Sequence, residues 1–240
     1  MDSETSLWIA SADAWVEFVD GIDPNREYVL DPVMDAKTDD VEGLRVLDVG
    51  CGEGRFCRKL SERGALTVGI DPTVVLLETA RERHPGGEYV ESGAESLPFD
   101  DESFDVVVSY VSLCDIPDYR AGISEMSRVL KPGGRMLIAL HNAFATTSPS
   151  GWLKDDTGRK TVFPVDNYTF EWGSKVKWRN IEIVNYHRPM GDYMKEFLKQ
   201  GLRLTSYEEP LPSPEHVMRH PVVQDYLRVP IFVVMEWKKD

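Results

Sequence analysis

The chain has 240 residues, 42% hydrophobic and 28% charged, which is enough to bury a sizeable core and fits one elaborated domain over 1–240. With 27 basic against 41 acidic residues the net charge is −14, so a nucleic-acid backbone would meet repulsion and is a poor partner. No apolar run approaches the roughly 20 residues that span a bilayer, and the acidic start Met1-Asp2-Ser3-Glu4 lacks the basic segment of a signal peptide, so a cytoplasmic chain is expected.

In chain order, Trp8 and Trp15, seven apart, predict a helical cap over residues 1–40 whose aromatic face packs as core or lid. From Leu44 to Leu140 short apolar runs alternate with helical patterns, as a parallel sheet with crossover helices requires. Strands are predicted at Arg45–Val49, Thr67–Ile70, Glu88–Glu91, Asp105–Ser109 and Arg135–Leu140. A helix near Glu53–Arg63 carries Phe56 and Leu60 on one face and stops at Gly64. A second starts with Pro72 at its first position, and a third aligns Ile123, Met126 and Leu130 before the turn Lys131-Pro132-Gly133-Gly134.

Residues 141–189 mix Thr, Ser, Gly and Asp clusters with Trp and Phe. They are too long for a hairpin and too apolar for a disordered linker, and read as an ordered insertion that covers the substrate with Trp152, Tyr168, Phe170, Trp172 and Trp178. Beyond it, Met190, Tyr193, Met194, Phe197 and Leu198 mark an amphipathic helix. Two late strands, Leu202–Ser206 and Pro230–Trp237, flank a loop containing Pro210, Pro212, Pro214 and Pro221.

The most informative segment is Val46 to Phe56, a buried strand that runs into a glycine turn and a helix. Gly50, Gly52 and Gly54 give GxGxG, whereas a dinucleotide fingerprint wants glycine or alanine where Arg55 stands. Asp48 and Glu53 flank the turn and would repel a diphosphate but tolerate a ligand with a positive end. At the end of the second strand Asp71 can accept hydrogen bonds from ribose hydroxyls, although the Asp71-Pro72 pair taken alone also reads as a helix start. Cys51 falls within this turn. It and Cys57 suit the turn and the helix face as small apolar residues, and with Cys114 they form no CxxC pair and no metal-ligand set among the five histidines.

These features resemble the class I S-adenosylmethionine-dependent methyltransferases, in particular the small-molecule branch with the type 11 core. The resemblance covers about residues 41–141 and is carried by Val46 to Phe56, Gly69-Ile70-Asp71-Pro72, Ala94 to Phe99, Phe104-Asp105-Val106-Val107 and Arg128 to Gly134. It implies an α/β, Rossmann-like fold with a seven-stranded, mostly parallel sheet in the order 3-2-1-4-5-7-6, its last strand antiparallel. It also implies S-adenosylmethionine as cofactor, with the methionine end at Gly50, Gly52 and Gly54, the ribose at Asp71, adenine at the Ala94 amide, and Ser109 and Tyr110 near the sulfonium. Where the branch commonly has an aspartate before the Ala-Glu pair this chain has Gly93, so adenine recognition falls to backbone groups, Ser92 or Glu95.

The reaction so implied is methyl transfer to a nucleophile, O or N, on a small molecule. The alternatives are a non-catalytic binding protein and, against the glycine spacing, a nicotinamide-dependent oxidoreductase. Of the histidines, His141 at the end of the fifth strand and His187 beside the insertion are candidate proton acceptors, each also readable as structural. His84, His216 and His220 read as surface.

Overall fold

Alternating strands and helices join in one seven-stranded sheet and a separate two-stranded one in the computed structural model, which describes residues 3–148 and 151–240. Helix α1 (Ser3–Asp20) is followed by a π-helical turn at Arg26–Leu30 that runs directly into α2 (Asp31–Ala36). The core consists of β1 (Arg45–Val49), α3 (Arg55–Glu62), β2 (Leu66–Asp71), α4 (Val74–Arg83), β3 (Glu88–Glu91), β4 (Phe104–Tyr110), α5 (Tyr119–Val129) and β5 (Leu130–His141). Then come β6 (Trp172–Trp178), β7 (Ile181–His187), α6 (Met190–Lys199), β8 (Leu202–Glu208), α7 (Pro214–Arg219), a 3-10 segment at Pro221–Leu227 and β9 (Phe232–Lys239).

The large sheet has the order β3-β2-β1-β4-β5-β9-β8, with β9 antiparallel to both neighbours. Its strands taken alone in chain order read 3-2-1-4-5-7-6, the arrangement the resemblance implies. Val46, Leu47 and Val49 of β1 are all buried because helices cover both faces of the sheet, which is why this strand reads as a continuous apolar run. One face packs Leu47, Val49, Phe104, Ile123, Met126 and Phe197, and the other packs Val46, Leu60, Val106, Val108, Leu137 and Ala139.

Several local expectations change. Pro72 precedes α4 instead of opening it: the N-cap is Thr73, whose N–H is taken by the Asp71 carboxylate at 2.8 Å. The Lys131–Gly134 turn lies inside β5 as a bulge, because the pairing jumps from Phe104↔Leu130 to Val106↔Arg135. The proline-rich segment is not a loop throughout, since Pro214 and Pro221 begin the α7 and 3-10 segments, where a missing N–H costs nothing. The insertion contains the very hairpin its length argued against. β6 and β7 pair along seven residues each and are joined by Arg179 and Asn180, both at positive φ (46° and 65°), as a two-residue type I′ turn requires.

Gly54 illustrates how tightly the turn is built. It has φ +77°, and a Cβ there would lie 2.7 Å from the Tyr89 hydroxyl and 3.0 Å from Ala80 Cβ. Gly54→Ala therefore adds a clash to backbone strain and should lower stability by about 1–3 kcal/mol. Gly133→Ala, at φ +76° with nothing within 4 Å, carries the strain alone and should lose less. Urea unfolding of the two variants measures the difference.

Candidate functional site

The carboxyl ends of β1, β2, β4 and β5 open into a cavity of about 450 Å³, at the edge of an α/β sheet where ligands are expected. Gly50, Gly52, Asp71, Tyr110 and His141 form its floor. Trp8, Trp15 and Phe18 of α1 form one wall, and Val176, Trp178, Ile183 and Asn185 of the hairpin another. Helix and hairpin are fastened together by Ser11, whose hydroxyl donates to Glu182 O at 3.1 Å and accepts from Glu182 N–H at 3.0 Å.

The glycine turn is shaped by what lies beneath it. The N–H groups of Gly50 and Cys51 both donate to Ile70 O at 2.9 Å, and a Cβ on Gly50 would come 2.4 Å from Ser112 Cβ. Asp71 accepts from Gly52 N–H at 3.0 Å as well as from Thr73, so one carboxylate ties the turn to the end of β2 and also lines the cavity. Burial raises its proton affinity above the usual carboxylate range, against the lowering effect of those N–H donors.

Asp48 is more exceptional. It is buried, its Oδ1 has no hydrogen-bond partner, and its Oδ2 receives only the Cys57 thiol at 3.5 Å. Burial foremost, with Asp71 and Glu53 as like charges, pushes it up to about 7. It borders a small cleft beneath the turn together with Cys51, Glu53, Arg26 and Trp15. An orphaned buried carboxylate oxygen beside glycines that admit a close ligand fits the positive end of an aminoacyl group. Glu53 is more committed, because its carboxylate accepts from Arg55 N–H at 2.8 Å and starts α3.

Ala94 and Glu95 line the cavity, and the space next to Gly93 is filled: a Cβ there would lie 2.9 Å from Glu95 Oε2. The Glu95 carboxylate thus occupies the region an aspartate at position 93 would enter. Pro72 also lines the cavity. Tyr110 borders it too, with its hydroxyl donated to Asp31 at 2.7 Å. Asp31 is held below the usual carboxylate range despite its burial, by Arg55, Tyr110 and Lys59.

Other expected residues stand elsewhere. Ser109 is fully buried and bonded to Ser112 at 2.8 Å, outside the cavity lining, because its side chain points beneath the loop after β4. Gly54 lies under the turn against Tyr89 and does not line the cavity. His187 is a correction: it is buried in the insertion, with Nδ1 2.7 Å from Thr146 Oγ1 and Nε2 2.9 Å from Tyr168 O, so both ring nitrogens are engaged away from the cavity. His141 does line it, and burial pushes its imidazole down to about 4, leaving it neutral at physiological pH. His216 and His220, expected at the surface, are half-buried against the Tyr28 ring.

Among the described aromatics of the insertion, only Trp178 lines the cavity. Trp152 packs on Phe163 and under Arg228, and Trp172 packs on His187. The sequence reasoning missed Asp115 and Asn185, two lining residues joined by a short hydrogen bond, because no local motif marks residues 70 positions apart. Arg26 also lines the cavity, stacked over Trp15 at 5.0 Å and 3.5 Å from Asp23.

The state of Asp48 has a measurable consequence. Its proton affinity in the fold exceeds that in the unfolded chain, so between pH 3.8 and about 7 the native state binds more protons and loses stability as pH rises. Asp48→Asn should therefore raise the melting temperature of the ligand-free protein above that window and lose the advantage below it. Each kcal/mol relieved is worth roughly 2–4 °C in a chain of this size. Thermal scans across pH test this.

Residues 47–138 match the family described as "Methyltransferase domain". A demethylmenaquinone methyltransferase of Clavibacter sepedonicus is 42% identical over 101 residues, 41% of this chain and 41% of that protein. A phthiotriol/phenolphthiotriol dimycocerosates methyltransferase of Mycobacterium tuberculosis is 37% identical over 116 residues, 47% of this chain and 43% of that protein. The matched part of the chain thus spans about two fifths of the length of these relatives. The crystal structure of an S-adenosylmethionine dependent methyltransferase from Mesorhizobium loti superposes with a TM-score of 0.79 at 28% identity, over 87% of this chain and 96% of that one. Fold, glycine turn and matched core agree: residues 47–138 match a methyltransferase domain, and the chain around them is similar in fold to S-adenosylmethionine-dependent methyltransferases.

Proposed function

We propose that this protein binds S-adenosylmethionine across the glycine turn and transfers its methyl group to an oxygen or nitrogen nucleophile of a small molecule held between α1 and the hairpin. The observation that carries this reading is the continuity of one cavity from Gly50, Gly52 and Asp71 to the aromatic walls of Trp8 and Trp178. The bound cofactor supplies a methyl on a sulfonium that is already an activated leaving group.

The chain's own residues bind, orient and exclude water. Gly50 and Gly52 admit the methionine end against the backbone, next to the free oxygen of Asp48. Asp71 receives the ribose hydroxyls, and Ala94 and Glu95 face the adenine. Trp15 closes over the turn, its Nε1 3.6 Å from where a Gly52 Cβ would be. Holding the nucleophile in line at about 3 Å, in a space closed by aromatic rings, supplies most of the acceleration. The two relatives share methyl transfer and differ in the acceptor their names give, which supports the reaction class and leaves the acceptor to be read from this chain's own walls.

S-adenosylmethionine or S-adenosylhomocysteine should raise the melting temperature, by the equivalent of about 2.7 kcal/mol at a hundredfold excess over Kd, and NADH should not. A response to NADH with none to either adenosyl ligand overturns the reading. Asp71→Ala should weaken S-adenosylhomocysteine binding by about 1.5–3 kcal/mol in calorimetry. Undiminished affinity would reduce Asp71 to its role in fixing the turn.

A further inference from the structure

The charges around the cavity are unevenly distributed. Among the described residues Glu4, Asp23, Asp71, Glu95 and Asp115 line it, against Arg26 and the neutral His141, and Arg26 is engaged by Asp23 and Trp15. Asp71 and Glu95 belong to the cofactor half. Asp115 stands on the loop after β4 and is bonded to Asn185 of the hairpin, whose Trp178 also lines the cavity.

The position of Asp115 is fixed from several directions. The Asn185 side-chain amide donates to its Oδ1. The next residue of β7, Tyr186, donates its N–H to Cys114 O at 2.9 Å. Arg188 donates to Leu113 O at 3.0 Å, to Pro117 O at 3.0 Å and to Ile116 O, and lies over the rings of Tyr119 and Tyr186 at 4.3 and 4.6 Å. The hairpin therefore holds the loop between β4 and α5 on both sides of Asp115 and presents a carboxylate to the acceptor end of the cavity.

Extending the methyl-transfer reading, on which it rests, we infer that the acceptor is an amine on an aromatic or apolar body, and that Asp115 anchors its ammonium and takes its proton. A phenolate or carboxylate entering this space meets like charge and, among the described residues, no cation that is not already engaged, whereas an ammonium meets opposite charge in a cavity lined by the aromatic rings of Trp8 and Trp178. The proton balance closes. The ammonium gives one proton to the Asp115 carboxylate. The freed nitrogen pair forms the N–C bond, the C–S pair returns to sulfur, and Asp115 releases its proton to water. Burial foremost pushes Asp115 up to about 7, which suits a group that exchanges a proton near neutrality.

The groups facing Asp115 are Asn185 and Arg188 from the hairpin side, the adjacent Cys114, Asp71 from the end of β2 and Tyr193 from α6. The other charged or titratable residues of the cavity are Glu4, Asp23, Arg26, Glu95, Tyr110 and His141.

The test is calorimetry on the whole protein. S-adenosylhomocysteine is titrated first, and then, into that complex, 2-phenylethylamine, 2-phenylethanol or 3-phenylpropanoate. The amine should bind at least about tenfold more tightly than the alcohol or the carboxylate. Its affinity should rise from about pH 6 to about pH 8 as Asp115 ionises, the amine itself staying charged throughout. Asp115→Asn should abolish the preference and the pH dependence in a protein that still binds S-adenosylhomocysteine, and the pH series on the parent protein stands if that variant fails to fold. No binding of S-adenosylhomocysteine defeats the methyl-transfer reading. Where it binds, equal or tighter binding of the alcohol or carboxylate, an amine affinity flat with pH, or no amine binding at millimolar concentration overturns the amine assignment and leaves methyl transfer standing.

Discussion

One carboxylate sets the geometry of the cofactor side. Asp71 ends β2, accepts from the N–H of Gly52 in the turn after β1 and from the N–H of Thr73 at the start of α4, and so holds two strand ends and a helix N-terminus in one arrangement. A shorter side chain could not reach both donors, and an amide would bring a donor to face one of them. The glycines follow from this constraint. Once the turn is drawn down onto Ile70 O and Asp71, positive φ and close packing leave no room for a Cβ at Gly50 or Gly54.

The same constraint concentrates acid. Asp48, Glu53 and Asp71 are all buried around the turn; burial raises the proton affinity of Asp71, and burial with repulsion from Asp71 and Glu53 raises that of Asp48. Arg55 and Lys59 are close by, but they pair with Asp31. Asp48 is left with one oxygen unsatisfied, an arrangement that costs stability in the free protein and is relieved when a positive group arrives. Binding energy for a zwitterionic ligand is thus built into the fold as a local electrostatic deficit.

What was legible in the sequence divides along the same line. The strand β1, the GxGxG turn, Asp71 and the five parallel strands follow from local periodicity and spacing, and β1, β2 and β3 end within a few residues of Gly50, Pro72 and Gly93. The hairpin was missed although Trp172-Gly173-Ser174-Lys175-Val176-Lys177-Trp178 alternates as a strand should, its outward residues being Gly173, Lys175 and Lys177. Length was weighed over alternation, and the turn at Arg179-Asn180 lacks the glycine that usually announces a type I′ hairpin. His187 misled for a related reason. Its place next to the insertion says nothing about which way the ring faces, and Thr146 and the Tyr168 carbonyl, which fix the ring, are 41 and 19 residues away.

The acceptor side could not be read locally because nothing local builds it. Ser11 meets Glu182 across 171 positions, and Asn185 meets Asp115 across 70. These contacts exist only in the assembled fold, between elements far apart in the chain. The consequence is a separation of tasks within one cavity. The cofactor half is specified by residues 48–95 and shares its chemistry with the family core. The acceptor half of the proposed site is specified by α1 and the hairpin, which lie outside the matched segment of 47–138, and by the loop after β4, which lies inside it. On the proposed reading, a change in Trp8, Trp178 or Asn185 acts on the acceptor without removing the bonds that Asp71 makes, since its partners are the Gly52 and Thr73 N–H groups. Asp115 is the link between the two halves, because, after burial, the charge of Asp71 raises its proton affinity, so that the electrostatics of the turn reach the loop after β4.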